Sequence, residues 1–381
     1  MKNLTKKTNL LGQQGFTLLE LMIGTVVAVI VTAGAFSALT SSSKATRVND
    51  QTAQTQQNGR LAMELLSHDI KMAGYGMTGP VGNCATAIVP GDNNVVGADT
   101  GPDSISMVVP ITNASTPAWT LAGPAATTGP FSSIQLQSGA IANMGIVVGD
   151  TISIGGSVSA TVGGPIDPAG PLLFKDIAGN AITIAAPITF PPNTPVYLLQ
   201  CVTYQVMQAG GPNAAAICGT NVPCLARGIS APTLAGKIDC NGTGGAAACF
   251  AIAEGIEDLQ LAYGCDGCNA AANSGVSNLV IDDQGAINNT FDAADFVSNS
   301  AWISSPMTPD TIRLVRINLV AREAQNEQGF GEGNSTMANT SSPLVIEDHN
   351  PSSDVGYLAA TYNQFRRRVI TRTVEVRNIG L

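Results

Sequence analysis

The sequence predicts an α+β fold, in which one long N-terminal helix precedes a domain rich in antiparallel β-strands. Residues 16–39 form an apolar run with a single charge, and no proline occurs before Pro80, so a helix can continue into the stretch that follows. Beyond residue 80, runs of alternating or β-branched apolar residues are separated by segments rich in glycine and proline. That pattern is typical of strands joined by loops.

The apolar run, FTLLELMIGTVVAVIVTAGAFSAL, is long enough to cross a membrane. As a helix, its 24 residues span roughly 36 Å, which exceeds the hydrocarbon core of a bilayer. Three lysines precede it and two basic residues follow it: Lys2, Lys6, Lys7, Lys44 and Arg47. The positive-inside rule then places residues 1–15 in the cytoplasm and the bulk of the chain outside. A plain signal anchor has the same topology.

Two features favour a more specific interpretation. A secretory signal has its small-residue cleavage site after the apolar core, whereas Gly15 lies before it, so the apolar segment would survive processing. Glu20 lies inside the apolar segment, where a carboxylate costs about 3 kcal/mol and usually has a partner or a function. A cut after Gly15 would create an amine on Phe16, and the amine of a neighbouring chain could neutralise Glu20.

These residues resemble a known motif. Gly15-Phe16-Thr17-Leu18-Leu19-Glu20, after a short basic leader and before a long apolar run, is similar to the prepilin motif of type IV pilins and type II secretion pseudopilins. The resemblance implies that a prepilin peptidase cuts between Gly15 and Phe16 and methylates the Phe16 amine. It also implies that Glu20 contacts the N-terminus of a neighbouring subunit during assembly.

The amphipathic segment 61–73 is predicted to continue the helix and to end at the glycines that follow it. The four segments of the chain are then a cleaved leader, a membrane-spanning helix that becomes filament core, its periplasmic amphipathic continuation, and a β-rich globular domain with disulfides: 1–15, 16–39, 40–76 and 80–381. The strands are expected at 103–109, 145–154, 196–206, 256–263, 311–321 and 367–378. Glycine-, alanine- and proline-rich stretches are expected as loops at 111–130, 207–216 and 241–248.

Later segments resemble the PilW family of large minor pilins. They are NGRLAMELLSHDIKMAGYG (58–76), GIEDLQLAYG (255–264), TIRLVRINLVAR (311–322) and RRRVITRTVEVRN (366–378). The resemblance implies a bacterial subunit that starts in the inner membrane and ends in an extracellular pilus. Its implied partners are other minor pilins, the major pilin, prepilin peptidase and the inner-membrane assembly platform, in a complex that starts the fibre or caps its tip.

Other functions remain open at this point. A type II secretion pseudopilin has the same N-terminal motif, and a pilus-tip adhesin or other binding subunit is compatible with the large domain of low charge. An anchored hydrolase ranks last, because no G-x-S-x-G motif occurs and the two histidines, His68 and His349, lie in segments where a solvated role is expected. The chain is therefore predicted not to be an enzyme, and no cofactor is predicted.

Eight cysteines, all beyond the apolar segment, indicate disulfides in an oxidising compartment. Short spacing favours Cys218–Cys224, Cys240–Cys249 and Cys265–Cys268, which leaves Cys84–Cys201, although eight cysteines allow 105 pairings in principle. Cys265 and Cys268 form a C-x-x-C that is interpreted as a plain disulfide, since no redox or haem pattern surrounds it.

Charge and the acidic segments complete the prediction. The net charge is −9, and without the three leader lysines it is −12, which makes extensive nucleic-acid binding unexpected. The acidic stretch 281–295 is rich in oxygen ligands, but it departs from the EF-hand pattern and is interpreted as a solvated loop. No metal site is predicted. Five arginines near the C-terminus are expected on both faces of a strand: Arg366, Arg367, Arg368, Arg372 and Arg377.

Overall fold

The structure, a computed structural model, describes most of the chain after the leader. The described residues are 16–379 without 94–98, 112–118, 123–124, 128–132, 138–146, 164–171, 176–187, 220–221, 230–237, 286, 289, 325–342 and 355–356. Their contacts divide into two compact units, with the boundary between Ala53 and Gln54. The first unit contains only helix among its described residues after Thr17, whereas the second contains all of the described strands.

The predicted long helix is confirmed. It is α1, Leu18–Met72, and it continues without a break through Ser37. The helix ends at Met72, and Gly74 just beyond it has a φ of +78° that only glycine adopts readily; the Gly74 N–H donates to the carbonyl of Val108 at 2.9 Å.

The rest of the second unit is mainly antiparallel β-structure, as predicted. The strands are β1 (Ile88–Gly91), β2 (Ser104–Ile111), β3 (Trp119–Thr120), β4 (Ala125–Thr127), β5 (Ser133–Ile134), β6 (Thr151–Ile154), β7 (Val158–Val162), β8 (Leu172–Lys175), β9 (Ile188–Phe190), β10 (Pro195–Met207), β11 (Cys224–Ile229), β12 (Cys249–Glu254), β13 (Ile256–Cys265), β14 (Ile312–Arg322) and β15 (Arg367–Glu375). Short helices are Ala214–Ile217, Gly245–Ala248, Ala270–Asn273 and Ala359–Tyr362, and 3-10 turns are Ala293–Asp295, Pro309–Thr311 and Pro351–Ser353.

Three sheets are formed by the described strands. The largest runs β1-β2-β10-β6-β7-β8-β5, and β11 and β3 also pair with the long strand β10, while β12 pairs with β11. The second sheet is β13-β14-β15, and β4 pairs with β9 separately. Every one of these pairings is antiparallel. The strand β10 therefore joins the earlier strands of the largest sheet to β11. In this pairing Val202 lies opposite Ile229.

The main core forms where the second half of α1 packs on strands of the two larger sheets. Met63, Leu66 and Ile70 are buried, and they belong to one cluster with apolar side chains of β2, β10, β11, β13 and β14. Gly59 is also buried, and Ile370 on β15 packs so closely on it that a Cβ at this position would overlap the Cδ1 of Ile370. Leu61, by contrast, is 48% exposed, so the apolar surface of the segment 61–73 is only partly buried.

One charged contact lies within this packed face. The Tyr204 hydroxyl on β10 donates to the Asp69 carboxylate of α1 at 2.6 Å, and the Arg227 Nε on β11 donates to the same oxygen at 3.1 Å. Burial raises the pKa of Tyr204 far above its usual value, and the charge of Asp69 adds to this effect. The helix carboxylate, the phenol and the guanidinium therefore satisfy one another where water has no access.

All eight cysteines form disulfides. The pairs are Cys84–Cys201, Cys218–Cys224, Cys240–Cys249 and Cys265–Cys268, the same four pairs that the spacing favoured. The first connects residues that are 117 positions apart, whereas the others close short loops.

Several loop predictions were wrong in detail. The stretch 111–130 contains β3 and β4, and the stretches 207–216 and 241–248 contain the beginning of Ala214–Ile217 and all of Gly245–Ala248. The expected strand 145–154 begins only at Thr151, because a turn over 148–149 precedes it; residues 145–146 lie outside the described part. Short strands and single helical turns in residues of low complexity have too few positions to show a period.

The acidic stretch 281–295 is not the solvated loop that was predicted. Asp282 and Asp295 are buried, and their carboxylates accept backbone N–H groups. The Gly267 and Asn269 N–H groups donate to Asp282 Oδ2 at 3.0 and 2.8 Å, and the Asp292 N–H donates to Asp295 Oδ2 at 2.7 Å. Carboxylate oxygens therefore accept the backbone N–H groups that would bond to carbonyl oxygens in a regular helix or strand.

The prediction of a solvated His349 was also wrong, because its side chain is 2% exposed. Its ring nitrogens contact Asp258 at 2.7 Å and Asp354 at 2.8 Å, which holds the segment around residue 349 against β13. Burial alone would lower the pKa of His349, but the bonds to Asp258 and Asp354 outweigh it and raise the pKa from 6.5 to about 10.

We expect Asp69→Asn to destabilise the full chain in detergent by about 2 kcal/mol, because the charge-assisted bond from Arg227, whose side chain is 11% exposed, is lost. The matched change Glu64→Gln, at an exposed helix position, should alter the free energy of unfolding by less than about 0.5 kcal/mol. Denaturant unfolding followed by tryptophan fluorescence gives both values. Equal losses in the two variants would contradict the assigned role of Asp69.

His349 should make stability depend on pH. Its folded pKa lies above its unfolded value, so its contribution is complete below about pH 6.5 and disappears as the pH rises through about 10. We expect the free energy of unfolding to fall by up to about 1.4 kcal/mol per pH unit over this range. His349→Gln should flatten that fall, and His68→Gln, at a side chain that is 73% exposed, should leave it unchanged. A wild-type profile that stays flat to pH 10 would refute this.

Candidate functional site

The candidate site lies at the start of α1. Gly15 lies outside the described residues, and Phe16 is exposed just before the helix. Thr17 and Glu20 form a reciprocal cap: the Glu20 N–H donates to Thr17 Oγ1 at 3.2 Å, and the Thr17 N–H donates to Glu20 Oε2 at 3.0 Å. This is a capping box, which satisfies two backbone donors at the helix start.

The Glu20 carboxylate can accept a further hydrogen bond. The Thr17 hydroxyl also donates to Oε2 at 3.0 Å, so both Thr17 bonds reach the same oxygen. Glu20 is exposed on the helix surface, and its negative charge lies in the first turn, where the helix dipole favours an anion. Its Oε1 can therefore accept a donor from another chain without loss of the cap.

Around Glu20, the helix surface is apolar and has no partner within the chain's described residues. Every residue from Leu18 to Leu39 is exposed, including large side chains such as Phe36 at 68%. Within the part of the chain that the structure describes, α1 is the one helix that is long and apolar enough to cross a membrane. Such a surface is stable in lipid or against other apolar helices, and not in water.

The remaining sequence candidates are held in structural contacts. Cys265 and Cys268 form a disulfide, and His349 is held between two carboxylates. Among the C-terminal arginines, Arg367 at the start of β15 forms an ion pair with Glu257 of β13, whereas Arg368 and Arg372 are exposed. The alternation of the strand predicted that the five arginines would not form one basic surface, and the structure agrees with this prediction.

Thr17 was not among the predicted site residues. Its signal was present, because a threonine three positions before a glutamate is the spacing of a capping box. Thr17 fixes the rotamer of Glu20 and so positions the carboxylate at the end of the helix.

Comparisons with known families match the two ends of the chain. The model of the type IV pilus-assembly protein W family matches residues 220–378, and the model of the prokaryotic N-terminal methylation motif matches residues 10–36. No curated protein and no solved structure matches the chain. The first match includes β11 to β15, and the second includes Glu20 and most of the apolar run. The chain is therefore a PilW-like type IV pilin, a minor pilin with one membrane-spanning helix in the inner membrane and a C-terminal domain.

Proposed function

We propose that this minor pilin joins other minor pilins in a complex that initiates the pilus or forms part of its tip. The observation that carries the proposal is Glu20, a carboxylate on an otherwise apolar helix surface, positioned by Thr17 within the methylation motif. The role is structural and involves no catalysis. The family match over residues 220–378 favours a pilus over a type II secretion filament.

Processing comes first in the proposed sequence of events. Prepilin peptidase removes the leader, residues 1–15, by a cut between Gly15 and Phe16, and the new Phe16 amine is methylated. Residues 16–39 remain in the membrane as the segment that later enters the filament core. Residues 40–76 continue the helix in the periplasm, and residues 80–381 form the globular domain.

Glu20 then selects the position of the helix among its neighbours. A carboxylate in the bilayer costs about 3 kcal/mol, and an amine from a neighbouring subunit removes that cost by forming an ion pair in an apolar environment. Apolar helix surface packs against apolar helix surface around this pair. The pairing therefore gives direction and register to an interaction that is otherwise driven only by packing.

The proposed partners follow from this mechanism. The apolar helix would contact the corresponding helices of other minor pilins and of the major pilin, after extraction from the inner membrane by the assembly platform. The disulfide-linked domain would remain outside the helix core and contact neighbouring domains. A tip adhesin would use the same anchor, and it would differ only in having a ligand on this domain.

Glu20→Ala should reduce incorporation of this subunit into sheared pili by about tenfold or more, because loss of an ion pair in an apolar environment exceeds 1.4 kcal/mol. Cleavage of the leader should be unaffected. The control Glu64→Ala, which removes an exposed carboxylate beyond the apolar run, should assemble normally. Immunoblots of sheared fibres and of membranes measure both steps, and wild-type incorporation of Glu20→Ala would refute the pairing.

Intact-mass and N-terminal analysis of the protein from its native membrane should find a mature chain that begins at methylated Phe16. Gly15→Val should remain at full length, because the peptidase is expected to require a small residue before the cut. Gly24→Ala is the matched control, since no atom lies within 4 Å of a Cβ added there. A functional wild-type chain that still begins at Met1 would exclude prepilin processing.

A further inference from the structure

Three aspartates meet at the connection between β1 and β2. Asp92, Asp99 and Asp103 each offer one carboxylate oxygen, and these three oxygens all lie within 4.8 Å of one another. Asp99 is 0% exposed and Asp103 is 2% exposed, so water can stabilise these charges only weakly. The cluster is far from α1's methylation motif in sequence, and the pilin role does not use it.

The cluster also connects several segments of the domain. The Asp103 N–H donates to the Leu259 carbonyl, and the Leu261 N–H donates to Asp103 Oδ2, both at 2.9 Å. The Asp99 N–H donates to the Asp348 carbonyl at 3.2 Å, and the Ser300 N–H donates to Asp92 Oδ2 at 2.9 Å. The three carboxylates therefore lie where the β1–β2 connection, β13 and two later loops come together.

The electrostatics of the cluster are unfavourable without a cation or a proton. Burial raises the pKa of Asp103 well above its usual value, and the negative charges of Asp99 and Asp92 raise it further; backbone N–H groups of Leu261 and Asn93 offset only part of this effect. Burial and the charge of Asp92 likewise raise the pKa of Asp348. Each carboxylate is thus more costly to ionise because the others are present.

Independent of the carboxylates, two buried side chains of β13 each have one oxygen atom without a hydrogen-bond partner among the described residues. Gln260 is 0% exposed, and its Oε1 accepts no hydrogen bond from any described residue. Its Nε2 donates to Asp258 Oδ1 at 2.9 Å and to the carbonyl of Gly101 at 3.3 Å, and the second bond places the carboxamide against the turn between Asp99 and Asp103. A carboxamide oxygen buried in this way is costly unless a donor or a cation reaches it.

The second of these side chains is Tyr263, on the same strand as Gln260. It is 2% exposed, and its hydroxyl has no hydrogen-bond partner among the described residues. Burial raises the pKa of Tyr263, and the negative charges of Asp103 and Asp92 raise it further. The hydroxyl therefore lies within the electrostatic field of this cluster. A phenol here can donate to a carboxylate or to water bound by a cation.

We propose that Asp92, Asp99 and Asp103, with the carboxamide oxygen of Gln260, form a calcium-binding site that fastens the β1–β2 connection to β13. The oxygen donors, which are carboxylates and a carboxamide, suit a hard cation. Zinc does not fit, because His349 is held by Asp258 and Asp354 and all eight cysteines are in disulfides. Calcium suits the cluster better than magnesium, since it accepts irregular sets of six to eight oxygens.

The test uses the full chain in detergent after removal of metal with EDTA. Calcium at about a hundredfold excess over its dissociation constant should raise the unfolding temperature by about 5 °C, and calorimetric titration should give one site per chain. Magnesium at the same concentration should give a much smaller shift. Asp99→Asn and Asp92→Asn should each lower calcium affinity at least about tenfold, whereas Asp310→Asn, at an exposed acid elsewhere, should not change it.

The asparagine variants also guard against simple misfolding. In EDTA they carry one fewer negative charge in the cluster, so they should unfold at a temperature no lower than wild type. The site would be excluded by a wild-type chain that gives neither heat nor a temperature shift at several millimolar calcium. It would also be excluded by a shift that persists in both asparagine variants, or by an equal shift with magnesium. Asp283→Asn tests whether calcium binds in the 281–295 stretch instead.

Discussion

Along α1, one continuous helix must satisfy two different environments. From Leu18 to Leu39 its surface is exposed and apolar on all sides, whereas from Gly59 to Ile70 only one face is buried. The second part is stabilised by packing against the β-sheets, through Met63, Leu66 and Ile70. The first part depends on lipid or on other helices, because no described part of the chain covers it. The membrane anchor and the folded domain are thus stabilised by different partners.

Several buried polar groups inside the domain are satisfied by carboxylates. Asp69 connects the helix to Tyr204 and Arg227, and Asp258 and Asp354 hold the buried imidazole of His349. In the loop beyond the Cys265–Cys268 disulfide, aspartates accept backbone N–H groups that no strand could satisfy. Long irregular segments need such bonds, because their buried backbone N–H groups have no hydrogen-bond partner in a helix or strand. The low aromatic content is compatible with this arrangement.

The parts of the fold that have a clear period could be predicted from the sequence. The apolar run predicted α1 to within two residues at its start, and β10, β13, β14 and β15 have enough residues to show their patterns. The N-terminal site was predicted because its residues are adjacent in sequence. The buried state of His349 could not be predicted, since Asp258 lies 91 residues away and is brought near only by the topology. The cluster around Asp99 and Asp103 was missed for a similar reason, because its contact with β13, the bond from the Leu261 N–H to Asp103, joins residues 158 positions apart.

The family matches leave the region between residues 36 and 220 unmatched, yet from Gln54 onward that region belongs to the same compact unit as the match over residues 220–378. It includes most of the largest sheet, a second apolar core around Ile152 and Ile154, and the disulfide Cys84–Cys201. Because β10 pairs with β11 across residue 220, the unmatched strands share hydrogen bonds with the family-like part and are not a separate domain. The core that packs on α1 contains side chains of the unmatched strands β2 and β10 as well as side chains of the matched strands β11, β13 and β14. A change at a buried position of β2 or β10 would therefore also disturb the packing on α1, because the matched and unmatched strands share one core.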